Sequence, residues 1–367
     1  LISAYMDNAR SSLIPALGQF YQYNYEISGR ILVCGQLTAL FCTALLLPAT
    51  NRFSLRTIGL FACLVCLSVC VSVLLVHSVA GLTVWGALVG GGISIMGSLS
   101  SIYADRSADE KFKTRAMSAC HATYGLASFG APIFASAILL QPEHWRNIYL
   151  FLIPLIILLA IFCNFYAPTE SAKNSGLEKQ EIKLDFSQSL SVIVMIFYVG
   201  AEVLTAMWLT TWFVSNGETL QNGSLATAIF FAIMTVTRML CSLISSDRWI
   251  MPVIWFSLIS SLLFFVVGRL TGNFWLIPMM GLLGPFFPLF VTSTSKRFPR
   301  KGRVILIWML TAMQGLLAFM NLFTGFLAQT FGMPIAFWLP AFLLTICIVL
   351  LLVSKKFERE GLSTSPI

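Results

Sequence analysis

The chain has 367 residues, 57% of them hydrophobic and 10% charged, with a mean hydropathy of +0.85; a soluble domain carries about 25% charged residues. That balance excludes a soluble enzyme or binding module and requires an integral membrane protein. The net charge of +8 and pI of 9.1 do not signal a nucleic-acid partner, because the basic residues fall in short loops between apolar runs, where they set orientation in the bilayer.

The chain opens with Leu1 rather than Met and no basic segment precedes the first apolar run. A short N-terminal piece is therefore expected to be missing, and no cleavable signal peptide is expected. Apolar runs of about eighteen residues or more then recur, each long enough for a hydrocarbon slab of about 30 Å. Continuous runs without strict alternation predict helices and not barrel strands. Six spans are read at Leu1 to Tyr21, Ser28 to Pro48, Thr57 to Val76, Val79 to Tyr103, Ala116 to Leu140 and Asn147 to Ala167. A polar stretch interrupts the pattern at 168–188, mixing charges of both signs with Gly and Ser. Six more spans follow at Ser189 to Ser215, Gly223 to Ser245, Trp249 to Val267, Gly272 to Ser295, Val304 to Ala328 and Met333 to Ser354. The expected architecture is an all-α membrane protein of about twelve transmembrane helices. Its N-terminal six-helix bundle covers 1–167, a cytoplasmic linker 168–188, a C-terminal bundle 189–354 and a cytoplasmic tail 355–367.

Alternate loops differ in Lys and Arg as this topology requires. One side holds Arg52 and Arg56; Arg106, Lys111, Lys113 and Arg115; the linker lysines; Arg248; Lys296 to Arg303; and the tail. The other holds Arg146 and Arg269, with Arg30 at a helix edge. The rich side is expected to be the cytoplasm of a cell membrane, with both termini inside. All nine cysteines fall within apolar runs, and none stands near a histidine at metal-ligand spacing. They are read as small hydrophobes, with no disulfide framework, metal site or cofactor expected. Arg52 and Arg248 occupy the same place in each half, 196 positions apart, and Asp7 shifted by that spacing falls at 203, beside Glu202. Two halves in the same orientation imply a parallel repeat about an axis along the membrane normal, with solute handled between them near mid-membrane.

Four charges lie well inside spans: Asp7 and Arg10 in the first, Glu202 in the seventh and Arg238 in the eighth. Ionisable groups at that depth face a bundle interior or a wet path, and mark ion or solute routes. Asp7 and Arg10, three apart on one helix face, can pair. A carboxylate whose proton competes with an arginine makes a coupling device, so Glu202, Asp7 and His121 are candidate proton-coupling groups. A fixed ion pair that locks two helices is the alternative. Arg10 and Arg238 could instead grip an anionic solute bidentately, or Arg238 could reach the basic loop near Asp247. Tyr124, Tyr198, Trp208, Asn321, Gln314 and Gln36 complete the substrate-binding candidates, with interhelical hydrogen bonding the competing role. Glycines 86, 90, 91, 92, 97, 281 and 284 form seams for close helix approach, and Pro285 and Pro288 are expected to kink the tenth span.

The chain resembles the major facilitator superfamily over its whole length. Asn51, Arg52 and Arg56 after the second span, and the Asp247-Arg248 pair after the eighth, are similar to that superfamily's basic loops. The resemblance implies that Arg52, Arg56, Asp247 and Arg248 latch the halves on the cytoplasmic side. Tyr198 to Glu202 followed by Trp208, and Gly90 to Gly97 followed by His121, Gly125, Gly130 and Pro132, are similar to the fucose and glucose/galactose proton symporters. The chain departs from that group where Ser11 replaces an acid before Pro15, and where the group's fourth-span acid is absent, with Gly97 or Ser98 in its neighbourhood. Gly125 to Pro132 also resembles part of a motif of proton-coupled drug exporters, with Phe134-Ala135 replacing the final glycines.

The leading expectation is a secondary active transporter working by alternating access, importing a small sugar-like solute with protons, as a monomer in the lipid bilayer. Alternatives are a carrier of organic anions such as metal-chelating siderophore-like acids or amino acids, and a proton-coupled exporter of amphipathic compounds. An enzyme is not expected: no nucleophile–base spacing, metal cluster or phosphate-cradling loop is present, and the three histidines are scattered.

Overall fold

The computed structural model describes residues 1–106, 113–167, 183–241, 246–299 and 301–363. Among these residues, ten helices are long and apolar enough to cross a membrane by length and composition. Two further spans complete twelve. The first is split at Ala9 into α1 (Ile2–Asn8) and α2 (Arg10–Phe20). The fifth is α6 (Lys113–Ile138), whose apolar part is Thr123–Ile138. The second to fourth spans are α3 (Tyr25–Arg52), α4 (Leu55–Ser72) and α5 (Val79–Arg106). The sixth combines a short helix α7 (Asn147–Leu150) with α8 (Ile153–Tyr166). In the second half, α9 (Phe186–Ser215), α10 (Leu220–Cys241) and α11 (Ile250–Thr271) are followed by a 3-10 helix over Phe274–Leu283 that leads into α12 (Phe286–Arg297). Helices α13 (Gly302–Phe331), α14 (Met333–Ala336) and α15 (Leu339–Ser363) close the chain. The seventh span thus begins at Phe186, and the last helix continues into the stretch read as a tail. The linker at 168–182 lies outside the described residues.

Local chemistry sets several ends. Asn24 and Ser54 cap α3 and α4, accepting from the backbone N–H groups of Ile27 and Thr57 at 3.1 Å each. Asp185 and Gln188 form a reciprocal capping box on α9, with bonds of 2.8 and 3.2 Å. Gly272 ends α11 in the left-handed region at φ +71°, where a side chain would be strained. The tenth span changes helix type at Gly284-Pro285, where proline chemistry predicts a kink.

Two apolar cores are buried: one is built from α1 to α8, the other from α9 onward together with Ile14 and Leu32 of the first half. Large side chains such as Phe41, Phe61, Phe165, Phe256 and Phe342 are exposed, the inverse of a soluble protein and what lipid contact requires. Within the first half, α3 and α5 cross with backbone nearly touching: a Cβ added to Gly90 would lie 1.9 Å from the Gly35 carbonyl oxygen. The matching seam of the second half puts Gly281 and Gly284 against Phe230 and Met234 of α10. The two seams occupy corresponding places in the repeat.

Between the halves, α3 meets α13 near the less basic side. A Cβ on Gly325 would come 2.6 Å from the Tyr25 carbonyl oxygen, and one on Gly29 would come 2.8 Å from that of Asn321. Ser224 of α10 donates to Ser12 of α2 at 2.8 Å, also in that portion of the spans. At mid-depth, Gly125 of α6 admits Thr235 of α10, whose Oγ1 would stand 2.6 Å from an added Cβ.

The two arginines on the sparse side are held by protein. Arg146 donates to the carbonyls of Val73 and Val76 at 2.9 and 2.6 Å and lies over Trp145. Arg269 donates to the Pro334 carbonyl at 2.5 Å and lies between Trp212 and Trp338.

Candidate functional site

The break in the first span organises the charges of the first half. Arg10 begins α2 and turns back across the break: its Nε donates to the Asp7 carbonyl at 3.1 Å and its Nη2 pairs with the Asp7 carboxylate. Gly35 borders this guanidinium, a Cβ there lying at ordinary contact distance, 3.5 Å, from Arg10 Nη1. Asn8 anchors the same turn by donating to the Ala4 carbonyl and to Ser128 Oγ of α6, both at 2.9 Å. One turn before Ser128, the Tyr124 hydroxyl donates to Asp7 at 3.4 Å, the long limit of a hydrogen bond. Asp7 keeps 24% side-chain exposure.

The second half pairs its charges across two helices. Arg238 of α10 donates from Nη2 to both oxygens of Glu202 on α9, at 2.9 and 3.1 Å. Its Nε donates to the Gly284 carbonyl at 3.1 Å. That carbonyl has no helical donor because Pro288, four residues on, lacks an N–H. Tyr198, one turn from Glu202, places its hydroxyl between the Glu202 carboxylate and the Leu283 carbonyl, the latter at 3.1 Å. Its ring stacks on Phe286 at 4.2 Å. Arg238 therefore does not reach the loop at Asp247; the nearer carboxylate and the orphaned carbonyl hold it. Tyr124 is within electrostatic reach of Asp7 in one pair and of Glu202 and Arg238 in the other.

The sequence pattern of the Major Facilitator Superfamily matches residues 1–301. The chain belongs to this superfamily. Its fold is that of solved members: a mutant of the nucleoside transporter NupG has TM-score 0.76 and 13% identity, covering 96% of this chain and 98% of that one. The inward-open xylose transporter XylE from E. coli has TM-score 0.75 and 12% identity, covering 96% and 93%. A bacterial homolog of the human lysosomal transporter Spinster, in an inward-facing and occupied conformation, has TM-score 0.75 and 11% identity, covering 97% and 94%. A comparison of the sequence with curated proteins finds no match. The protein is a multi-pass membrane transporter of the superfamily's twelve-helix, two-bundle fold, not an enzyme.

The remaining candidate residues of this superfamily member divide into two groups. Trp208 and Asn321 are fully buried and bonded to each other, Nε1 to Oδ1 at 3.0 Å, so they tie α9 to α13. Gln36 and Gln314 are half-buried. Among the described residues Gln36 makes no hydrogen bond and the buried Gln314 Oε1 has no partner. Gln36 lies seven residues from Gly29 and Gln314 eleven from Gly325, near two and three whole turns at about 3.6 residues each. Both amides therefore share the helix faces that meet at the α3–α13 crossing. The side chain of His121 on α6 lies outside the described residues. On the basic side, Arg56 donates to Asn164 at 2.6 Å, Asp247 pairs with Lys296, and Arg248 lies over Trp249. Each of these contacts stays within its own half, and Arg52 is exposed.

Sequence reasoning passed over Asn8, Ser12, Ser128 and Ser224, which knit the first span to α6 and α10. Their only signal was small polar side chains in apolar spans, shared with many that bond their own helix. No group of three or more His, Cys, Asp or Glu suited to a metal occurs among the described residues.

Proposed function

We propose that the protein is a proton-coupled importer of a small neutral polar solute, sugar- or nucleoside-like, by alternating access. The observation that carries this reading is the charge balance at mid-membrane: each half holds one carboxylate and one guanidinium, already paired. An anionic solute would have to displace an internal carboxylate, whereas a neutral polyol needs only hydrogen-bond partners, which Gln36, Gln314 and Tyr124 offer. Relatives of the same fold described as a D-xylose–proton symporter and a nucleoside transporter agree with this substrate class.

Asp7 is assigned the proton. A proton arriving at Glu202 must displace two contacts from Arg238 and one from Tyr198. At Asp7 it displaces Arg10 and one long bond from Tyr124, on a side chain that water reaches. Protonation frees Arg10, and the altered pairing at the helix break biases the rocking of the halves. The basic side is assigned to the cytoplasm. Since the named contacts between halves lie at mid-depth or toward the opposite side, this conformation is read as open inward. The anion-carrier reading keeps one support, the Arg10 guanidinium released when Asp7 is neutral.

Uptake into proteoliposomes tests this, using sugars, nucleosides and carboxylates with and without an inward proton gradient. Gradient-dependent accumulation of a neutral solute, lost in Asp7→Asn while solute exchange persists, is the expected result. Accumulation of carboxylates alone, or accumulation indifferent to the gradient, would overturn it.

A further inference from the structure

Away from the midline charges, a hollow of about 610 Å³ opens at the basic end of α9 and α13, lined by Lys183, Leu184, Ser189, Val192, Ile193 and Trp308. We propose that this hollow binds an anionic phospholipid of the basic-side leaflet. Its chemistry is graded along the membrane normal. Lys183 stands at the rim, exposed, its ammonium without a partner among the described residues. Ser189, in the first turn of α9, has a hydroxyl that makes no hydrogen bond among the described residues. Deeper in, Val192, Ile193 and the indole of Trp308 continue the wall, with Ile193 and Trp308 exposed toward the membrane.

A phosphate with acyl chains matches that order: one cation and one hydroxyl for the headgroup oxygens, then an apolar trench for the chains, with Trp at the interface. Four of the six lining residues are apolar, which selects a lipid over free phosphate. The wall is also fixed in place. Lys301 Nζ donates to the Lys183 carbonyl at 2.9 Å, and Arg297 Nη2 donates to Ser187 Oγ at 2.7 Å. Both cations thus add positive potential while holding the segment that carries Lys183. Asp185, the one acid of this stretch among the described residues, accepts from the Gln188 N–H as the cap of α9, so the helix terminus offsets its charge.

Native mass spectrometry of the protein released from vesicles of phosphatidylethanolamine and phosphatidylglycerol reads this site directly, without reference to transport. Retention of phosphatidylglycerol over phosphatidylethanolamine is expected. Lys183→Gln lowers that retention about fivefold, the effect of removing one interfacial charge. Lys183→Arg restores it, Arg30→Gln on the opposite side leaves it unchanged, and excess inorganic phosphate does not displace the lipid. Equal retention of both lipids, equal behaviour of Lys183→Gln and Arg30→Gln, or displacement by phosphate would each overturn the assignment.

Discussion

The two midline ion pairs are built differently, although their carboxylates occupy nearly equivalent places in the repeat. Asp7 and Arg10 are three residues apart, joined across a break in one span. Glu202 and Arg238 sit on neighbouring helices and are bound twice, with Tyr198 and the Gly284 carbonyl completing the set. A local pair can open without separating any helices. A cross-helix pair with four participants acts as a brace. The same chemistry thus suits a switch in one half and a strut in the other.

Removing Arg238 gives the largest expected effect, because it leaves the Glu202 carboxylate with Tyr198 alone and without a counter-charge, and strands the Gly284 carbonyl. Arg238→Gln should abolish gradient-driven uptake and lower stability by about 2 kcal/mol, less than for a fully buried pair, since Arg238 keeps 34% side-chain exposure. Thermal unfolding in detergent, followed by tryptophan fluorescence, measures this. The double variant Glu202→Gln with Arg238→Gln should recover at least half of that stability without recovering transport, because no charge is left unpaired. If the double variant is as unstable as Arg238→Gln alone, the pair is not a brace.

At the switch, Asp7→Asn should cost less than about 1 kcal/mol in the same unfolding experiment, since the pair is local and partly wet. It should nonetheless uncouple uptake from the gradient. A stability loss equal to that of Arg238→Gln would erase the distinction between the halves. Tyr124→Phe is the mildest change: its bond to Asp7 is long, and uptake should fall only a few-fold, roughly the worth of one weak hydrogen bond. Initial-rate kinetics at several external pH values would detect it, with a shifted pH profile expected for Tyr124→Phe and an unshifted one for Trp208→Phe.

The twelve spans were legible because each apolar run exceeds the bilayer thickness, and the Asp7–Arg10 pair because its spacing fits one helix face. Glu202 and Arg238 each stood out as charges in lipid-length runs. Their pairing did not, because it joins antiparallel neighbours and depends on Pro288 leaving Gly284 without a donor. The division of the first span at Ala9 had no glycine or proline at the break to announce it, and the 3-10 geometry of Phe274–Leu283 was equally silent. Trp208 and Asn321 read as cavity-lining residues in sequence, since polar groups that face a solute and those that face each other have the same signature. Contact between helices separates them.

The glycine crossing of α3 and α13 sets a mechanical advantage. Gly29 and Gly325 meet backbone to backbone near one end of both helices, with no Cβ between them at that point. The far end of α3 at Arg52 lies about 35 Å away at about 1.5 Å per residue. A tilt of about 10° about this fulcrum would sweep that end through roughly 6 Å. Small torques generated at the helix break would thereby become large apertures at the opposite face.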